Sequence, residues 1–331
     1  MVWNAYQVVK TQIKRLWLLK YFLCDISNVH RNMYWPSSNQ SNLQLTSELL
    51  FQFHKIEKGL VMPGPKRFFG QEPARAVINL LNTWHMKGLS VNDPVYLGAL
   101  ETLHSYMERL QSELLDKDDR VLSHIRSFLN NHTARTELLA TPYLLASMNG
   151  DIASNVHQFD GLVSIRRSVR SFTSVAVPLE LIKHAVGLAQ QSPSACNRQP
   201  CRVYLVTEER KKNALLALQN GNKGFGHLIP TLAVITSDSG AFFDASERHE
   251  PYIDGGLFSM TLMYALSAQG LATCCLNWCV SPDKDVGLRN ILPLTDSELV
   301  IMLMAIGNPE PNVLVPRSPR KLTENVLIEV F

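Results

Sequence analysis

Arg166-Arg167-Ser168-Val169-Arg170-Ser171-Phe172 puts three guanidinium groups and two hydroxyls into seven residues. Guanidinium forks and hydroxyls suit a phosphate, which offers several charged oxygens in a small volume. That phosphate can belong to a nucleic-acid backbone, a nucleotide substrate or a bound cofactor. The segment reads as lying just after a loop and just before a helical pattern. Cations at a helix start oppose the helix dipole unless an anion compensates them, so a merely solvated basic helix start is disfavoured.

Composition narrows the owner of the phosphate. The chain has 331 residues, 46% hydrophobic and 18% charged, which suits a soluble globular protein with ample surface to bury. The formal net charge is only +3. A general nucleic-acid binder carries a broader basic surface with interleaved stacking aromatics, and Phe172 alone does not supply that. No nucleic-acid partner is therefore expected. Near the N-terminus, Lys10 to Arg15 leads into Leu16 to Cys24, an apolar run interrupted by Lys20. It falls far below the ~20 apolar residues of a spanning helix, so no membrane span is expected. A helix packing on its own domain is the expectation, with a basic amphipathic helix on a membrane surface or partner as the alternative. The cysteines at 24, 196, 201, 274, 275 and 279 form no Cys-x-x-Cys pair and match no common ligand spacing. Reduced thiols, a cytoplasmic location and no metal follow as expectations. His54 and Glu57 share a helical face, but the second such pair that a metal would want is not found.

The elements that must position these residues fall into two halves. Before residue 160 the pattern is helical: Asn42 to Lys58, Glu72 to Lys87, Pro94 to Leu115 and Asp118 to Asn130, with a break at Met62-Pro63-Gly64-Pro65. Lys58-Gly59-Leu60 and Lys87-Gly88-Leu89 both read as helix ends, with Lys on the negative end, Gly left-handed and Leu packing back. After residue 160, strands are expected at Arg202 to Val206, Thr231 to Thr236 and Leu299 to Ile306. Helices are expected at Pro178 to Gln191, Glu208 to Gln219 and Gly255 to Gln269. The last is apolar on most sides, which places it in a core or a subunit interface. Strands alternating with helices imply a sheet covered on both faces. The boundary is expected near Asn149-Gly150-Asp151 or slightly later, giving a helical accessory region over 1–155 and a second domain over 156–331.

The second half resembles the nitroreductase family of flavoproteins. Arg166 to Phe172 resembles its opening signature, and Ser192-Pro193-Ser194-Ala195-Cys196-Asn197-Arg198-Gln199-Pro200 its second. Asn220-Gly221-Asn222-Lys223 resembles a third, and Tyr252-Ile253-Asp254-Gly255-Gly256 the start of the family's central helix. Ala305-Ile306-Gly307-Asn308-Pro309 and Arg317-Ser318-Pro319-Arg320-Lys321 resemble its closing strand, turn and basic tail. The resemblance covers residues 160–331. It implies an α+β fold: a nitroreductase-like α-β-α sandwich with a central mixed, mainly antiparallel sheet, preceded here by an all-helical N-terminal region.

The resemblance also implies FMN, held non-covalently at a homodimer interface. By it, Arg166 and Ser168 would bind the phosphate, Arg167 would act through its backbone and packing, and Arg170 would approach the ring or ribityl chain. Arg317 and Arg320 would close on the phosphate. Pro193, Ser194 and Asn197, with Gln199 as a weaker candidate, would reach the flavin from the partner subunit. Asn220 and Lys223 would address the pyrimidine edge, where a lysine stabilises the reduced ring. A backbone amide near Asn277 and Trp278 would meet N5, although this chain departs there from the family's Pro-Ile/Leu-Gly-like sequence. Trp278 would cap the pocket or fill core. The implied reaction is a ping-pong hydride transfer from NADH or NADPH through flavin N5 to a small acceptor, such as a nitroaromatic, quinone or enone. Family members also remove halogens or fragment flavin, so the fold does not fix the reaction. No separate catalytic residue is expected. The alternative is a flavin-binding protein with specialised or lost redox activity, whose helical half recruits a pathway partner.

Overall fold

The N-terminal helices form because their apolar residues recur at helical spacing. The computed structural model describes residues 19–33, 40–63, 69–112, 120–132, 140–142 and 151–330. The basic stretch Lys10 to Arg15 and the expected boundary at Asn149-Gly150 lie outside them. A helix described over 19–32 (α1) is followed by α2 (Asn42–Val61), α3 (Gln71–Met86), α4 (Pro94–Ser112) and α5 (Arg120–Asn130). Ser41 and Gln44 cap α2 reciprocally: the Gln44 amide donates to Ser41 Oγ and the Ser41 amide to Gln44 Oε1. Leu45, Leu49, Phe53, Ile56 and Leu60 of α2 bury into a core shared with Ile78, Leu81, Leu100, Leu103 and Tyr106. Each such side chain contributes roughly 1.5–3 kcal/mol.

The two expected helix ends differ. Gly88 is left-handed at φ 66°, its amide bonds His85 O, and the Leu89 amide reaches Trp84 O, as a glycine-closed helix end requires. Gly59 closes nothing, because α2 runs on to Val61. A Cβ at Gly59 would collide with the Phe69 ring, so close packing and not chain reversal explains the glycine.

The second half holds α6 (Ile152–Ile165), α7 (Leu179–Ala189), α8 (Glu209–Leu218), α9 (Glu250–Ala268) and α10 (Pro282–Arg289) around a sheet. Its strands are β1 (Cys201–Val206), β2 (Thr231–Asp238), β3 (Ala272–Asn277) and β4 (Glu298–Gly307), in the order β1-β2-β4-β3 and all antiparallel. A single parallel bridge between Ser168 and Thr273 adds the arginine–serine segment to the free edge of β3. Period-two alternation sorts β2 between layers. Ala233 and Ile235 meet Ile182, Phe258 and Leu262 of α7 and α9, while Leu232 and Val234 meet Leu215 and Leu288 on the opposite face. The fold is thus α+β, an α-β-α sandwich behind a helical N-terminal region.

One expectation about the opening segment is overturned. Residues 166–172 do not start a helix: Arg166 caps the C-terminal end of α6, and α7 begins only at Leu179. A cation there is favoured by the dipole, so the segment's charge by itself does not demand an anion.

Candidate functional site

The arginine–serine segment is zipped between β3 and the turn after β4. The Val169 amide donates to Thr273 O at 3.0 Å and the Thr173 amide to Asn308 O at 2.9 Å. Phe172 bridges to Pro309, and Val169 and Phe172 are buried while Arg170 is exposed. The Arg167 guanidinium turns back to Val163 O and Arg166 O. Arg170 makes one long bond, 3.4 Å, to Ser168 O. The half-buried Arg166 side chain has no hydrogen-bond or ion-pair partner among the described residues. Burial pushes the Cys275 thiol up to about 11, with Cys274 adding to the rise and the Arg166 charge pulling against it. Arg170 pulls likewise against the burial-driven rise of Cys274. Two arginines therefore lean their field over β3. A fork without a protein partner among the described residues, two positions from Ser168, is a donor set that suits a phosphate group. On this chemistry FMN fits the residues present.

The second signature forms a tight loop before β1. The Gln199 amide bonds Ser194 Oγ at 3.1 Å, and the Ala195 amide bonds both carboxylate oxygens of Asp254 at 3.2 Å. Asn197 and Gln199 are exposed, and their side chains bond one another. Pro193 is exposed beside them. Burial pushes the Asp254 carboxyl up to about 6, with the Ala195 amide restraining the rise. Asp254 lies in the second turn of α9, which starts five residues before the expected Gly255.

Asn220 and Lys223 lie at the far end of β3. Gln219, unnoticed in the sequence, joins this loop to the strand: its Nε2 donates to Asn277 O at 3.0 Å and its Oε1 accepts from the Gly221 amide. The Asn220 side chain accepts from Lys284 of α10 at 2.8 Å. Lys223 is exposed and has no side-chain partner among the described residues. Trp278 Nε1 donates to Asp285 at 2.9 Å, which fixes the indole to α10. The same indole faces a cleft of about 770 Å³ beneath α1, whose walls include Tyr21, Tyr252 and Arg289.

Arg317 and Arg320 stay apart from this ensemble within one chain. Both sit in an exposed tail, and Arg320 bonds only Ser318 O. No hydrogen bond or ion pair ties either arginine to residues 166–172 among the described residues. No group of three or more His, Cys, Asp or Glu suits a metal among them either, and His54 pairs with Glu57 at 3.1 Å. Sequence reasoning missed Gln219 and a buried acid, Glu298, and had Asp254 only as part of a motif with no role of its own. Hydrogen bonds from Thr295, Thr236 and Tyr204, aided by Arg202, hold Glu298 below the ordinary range against the upward push of burial. The local signal for each was one polar residue at a strand or helix edge.

Known proteins resemble the second half of this chain. The Nitroreductase family model matches residues 163–308. A 4-nitrobenzoate reductase of Pseudomonas putida is 26% identical over 217 residues, covering 50% of this chain and 92% of its own length. An iodotyrosine dehalogenase 1 homolog of Caenorhabditis elegans is 23% identical over 290 residues, covering 76% of this chain and 87% of its own. Among solved structures, a nitroreductase family protein from Streptococcus pneumoniae overlays with a TM-score of 0.45 at 19% identity, covering 52% of this chain and 100% of its own. No helix among the described residues is long and apolar enough to cross a membrane. Residues 163–308 form a nitroreductase-family domain within the chain.

Proposed function

We propose that the chain is an FMN-dependent oxidoreductase that draws on NADH or NADPH and reduces a small organic acceptor. The half-buried Arg166, unpartnered among the described residues and two positions from Ser168, carries this reading. FMN, when bound, supplies two-electron chemistry between a nicotinamide and an acceptor. The chain's own residues bind and orient. Arg166 and Ser168 hold the phosphate end and Arg170 approaches the ring or ribityl chain, while Ser194, Asn197 and Gln199 present hydrogen-bonding groups from the loop before β1. Lys223 adds positive charge near the end of β3. The cleft beside Trp278 gives an acceptor a partly apolar wall.

Two copies are part of the proposal. The exposed residues Ile152, Val156, Phe159 and Val163 form one stripe along α6, and Leu257 and Met260 of α9 are also exposed. Such surfaces are covered in a stable protein. A second copy would cover them and bring Arg317 and Arg320 of its tail to the phosphate. Residues 1–155 are proposed as the accessory region, with α6 spanning its junction with 156–331.

The test is direct. Protein supplied with FMN turns yellow, is bleached by NADH or NADPH without oxygen, and regains colour with a nitroaromatic or quinone. A chain that takes up no FMN sinks the reading. Reductive removal of halogen from an aromatic acceptor is a second reading, favoured by similarity to proteins named iodotyrosine dehalogenase and iodotyrosine deiodinase. Halide release during turnover distinguishes it.

A further inference from the structure

The loop before β1 holds an uncommon run of backbone. Cys196, Asn197 and Gln199 are all left-handed, at φ 52°, 55° and 50°. Each such non-glycine residue costs about 1 kcal/mol or more and persists only where its surroundings over-determine it. Much of that over-determination runs through one side chain. Arg198, between the strained residues, is only 3% exposed. Its guanidinium meets four acceptors: both carboxylate oxygens of Glu247, Ala195 O at 3.0 Å and Ala241 O at 3.1 Å.

Aromatic rings enclose that guanidinium. Phe242, Phe243 and Phe51 have centroids 4.9, 4.8 and 5.6 Å from its central carbon. Phe51 belongs to α2, in the N-terminal half, and meets Phe243 edge-on at 4.6 Å. The face of a ring attracts a cation, and excluding water strengthens the ion pair beneath it. The helical half therefore closes the cage around the residue that holds the loop.

We propose that Arg198 is the positioning residue of the cofactor loop and that α2, through Phe51, locks it, so that the N-terminal half sets how tightly FMN is held. The link to FMN rests on the proposed function, in which Ser194, Asn197 and Gln199 contact the cofactor. Without Phe51, water reaches the guanidinium and the strained residues relax toward ordinary backbone. Reordering the loop then falls on the binding step and weakens it.

The test uses the full chain, with FMN affinity read from quenching of flavin fluorescence and loop order from amide exchange at 195–199 without FMN. Phe51→Leu keeps apolar volume but removes the ring. It should raise the FMN Kd about tenfold and speed loop exchange while helix content stays the same. Phe51→Tyr restores the ring and both readings. Arg198→Lys keeps the charge but cannot serve four acceptors, and should raise Kd on the order of a hundredfold. His54→Gln, also on α2, changes neither. Wild-type Kd and loop exchange in Phe51→Leu would overturn the lock, even if Arg198→Lys failed to fold. If the wild-type chain binds no FMN, the cofactor reading and its link to the lock fail, and loop exchange alone decides whether Phe51 holds the loop.

Discussion

At the residue scale, Arg166 and Asp254 carry the clearest expectations. Among the described residues, Arg166 gives the fold no side-chain hydrogen bond or ion pair beyond its backbone cap, which leaves its guanidinium to a ligand in the proposed site. Arg166→Ala should weaken FMN binding on the order of a hundredfold, the loss of a charge-assisted contact, while the thermal midpoint of the apoprotein holds. Flavin retained through gel filtration measures it, and full retention would remove Arg166 from the site. Asp254 bears on pH. Its folded carboxyl lies near 6 against an ordinary 3.8, chiefly because of burial. Its stabilising contribution is complete below about 3.8 and fades as pH rises through about 6. Above that, the folded chain holds a desolvated carboxylate at a cost on the order of 3 kcal/mol. Asp254→Asn keeps an acceptor for the Ala195 amide and should flatten stability between about pH 4 and pH 7. Denaturant titrations of the apoprotein across that range check this. An unchanged slope would place the titration elsewhere. The arginine–serine cluster was legible in the sequence because its chemistry is packed into adjacent positions. Asp254 was legible only as part of a motif, since its pKa depends on what buries it.

At the element scale, legibility followed local pattern. β1, β2 and β4 lie where branched and aliphatic residues run together, and the structure extends each by one or two residues. β3 was not recognised. Ala272-Thr273-Cys274-Cys275-Leu276-Asn277 has little alternation, and its strand character comes from pairing with β4. α6 was missed as well, because none of its residues is buried in the single chain and it leaves no core-facing stripe to find. What it has is an outward stripe, and that makes it testable. Val156, 55% exposed, lies in its middle. Val156→Asp should shift the proposed dimer toward monomer by at least tenfold in dissociation constant, since a charge would be buried without a partner. Sedimentation velocity over a concentration series reads this. A dimer that ignores the substitution would move the interface away from α6.

At the scale of the whole molecule, the two halves are joined through loops. Met33 packs on Ala241 and Phe242, Asn28 bonds Ser239 at 3.1 Å, and Lys20 pairs with Asp283 at 3.1 Å. The helical half thus presses on the turn after β2 and, through Phe51, on the loop before β1. By itself, the sequence determined the helical first half, three of the four strands, the apolar character of α9 and the clustering of arginine and serine at 166–172. These depend on neighbours within a few positions, where periodicity and turn chemistry act. Tertiary structure alone decided that this segment ends a helix and edges a sheet, and that Gln219 ties the 220–223 loop to Asn277. It alone caged Arg198 against Glu247, 49 residues away, and against Phe51 of the other half. Burial of a charge depends on which distant surfaces meet, and no local spacing encodes that.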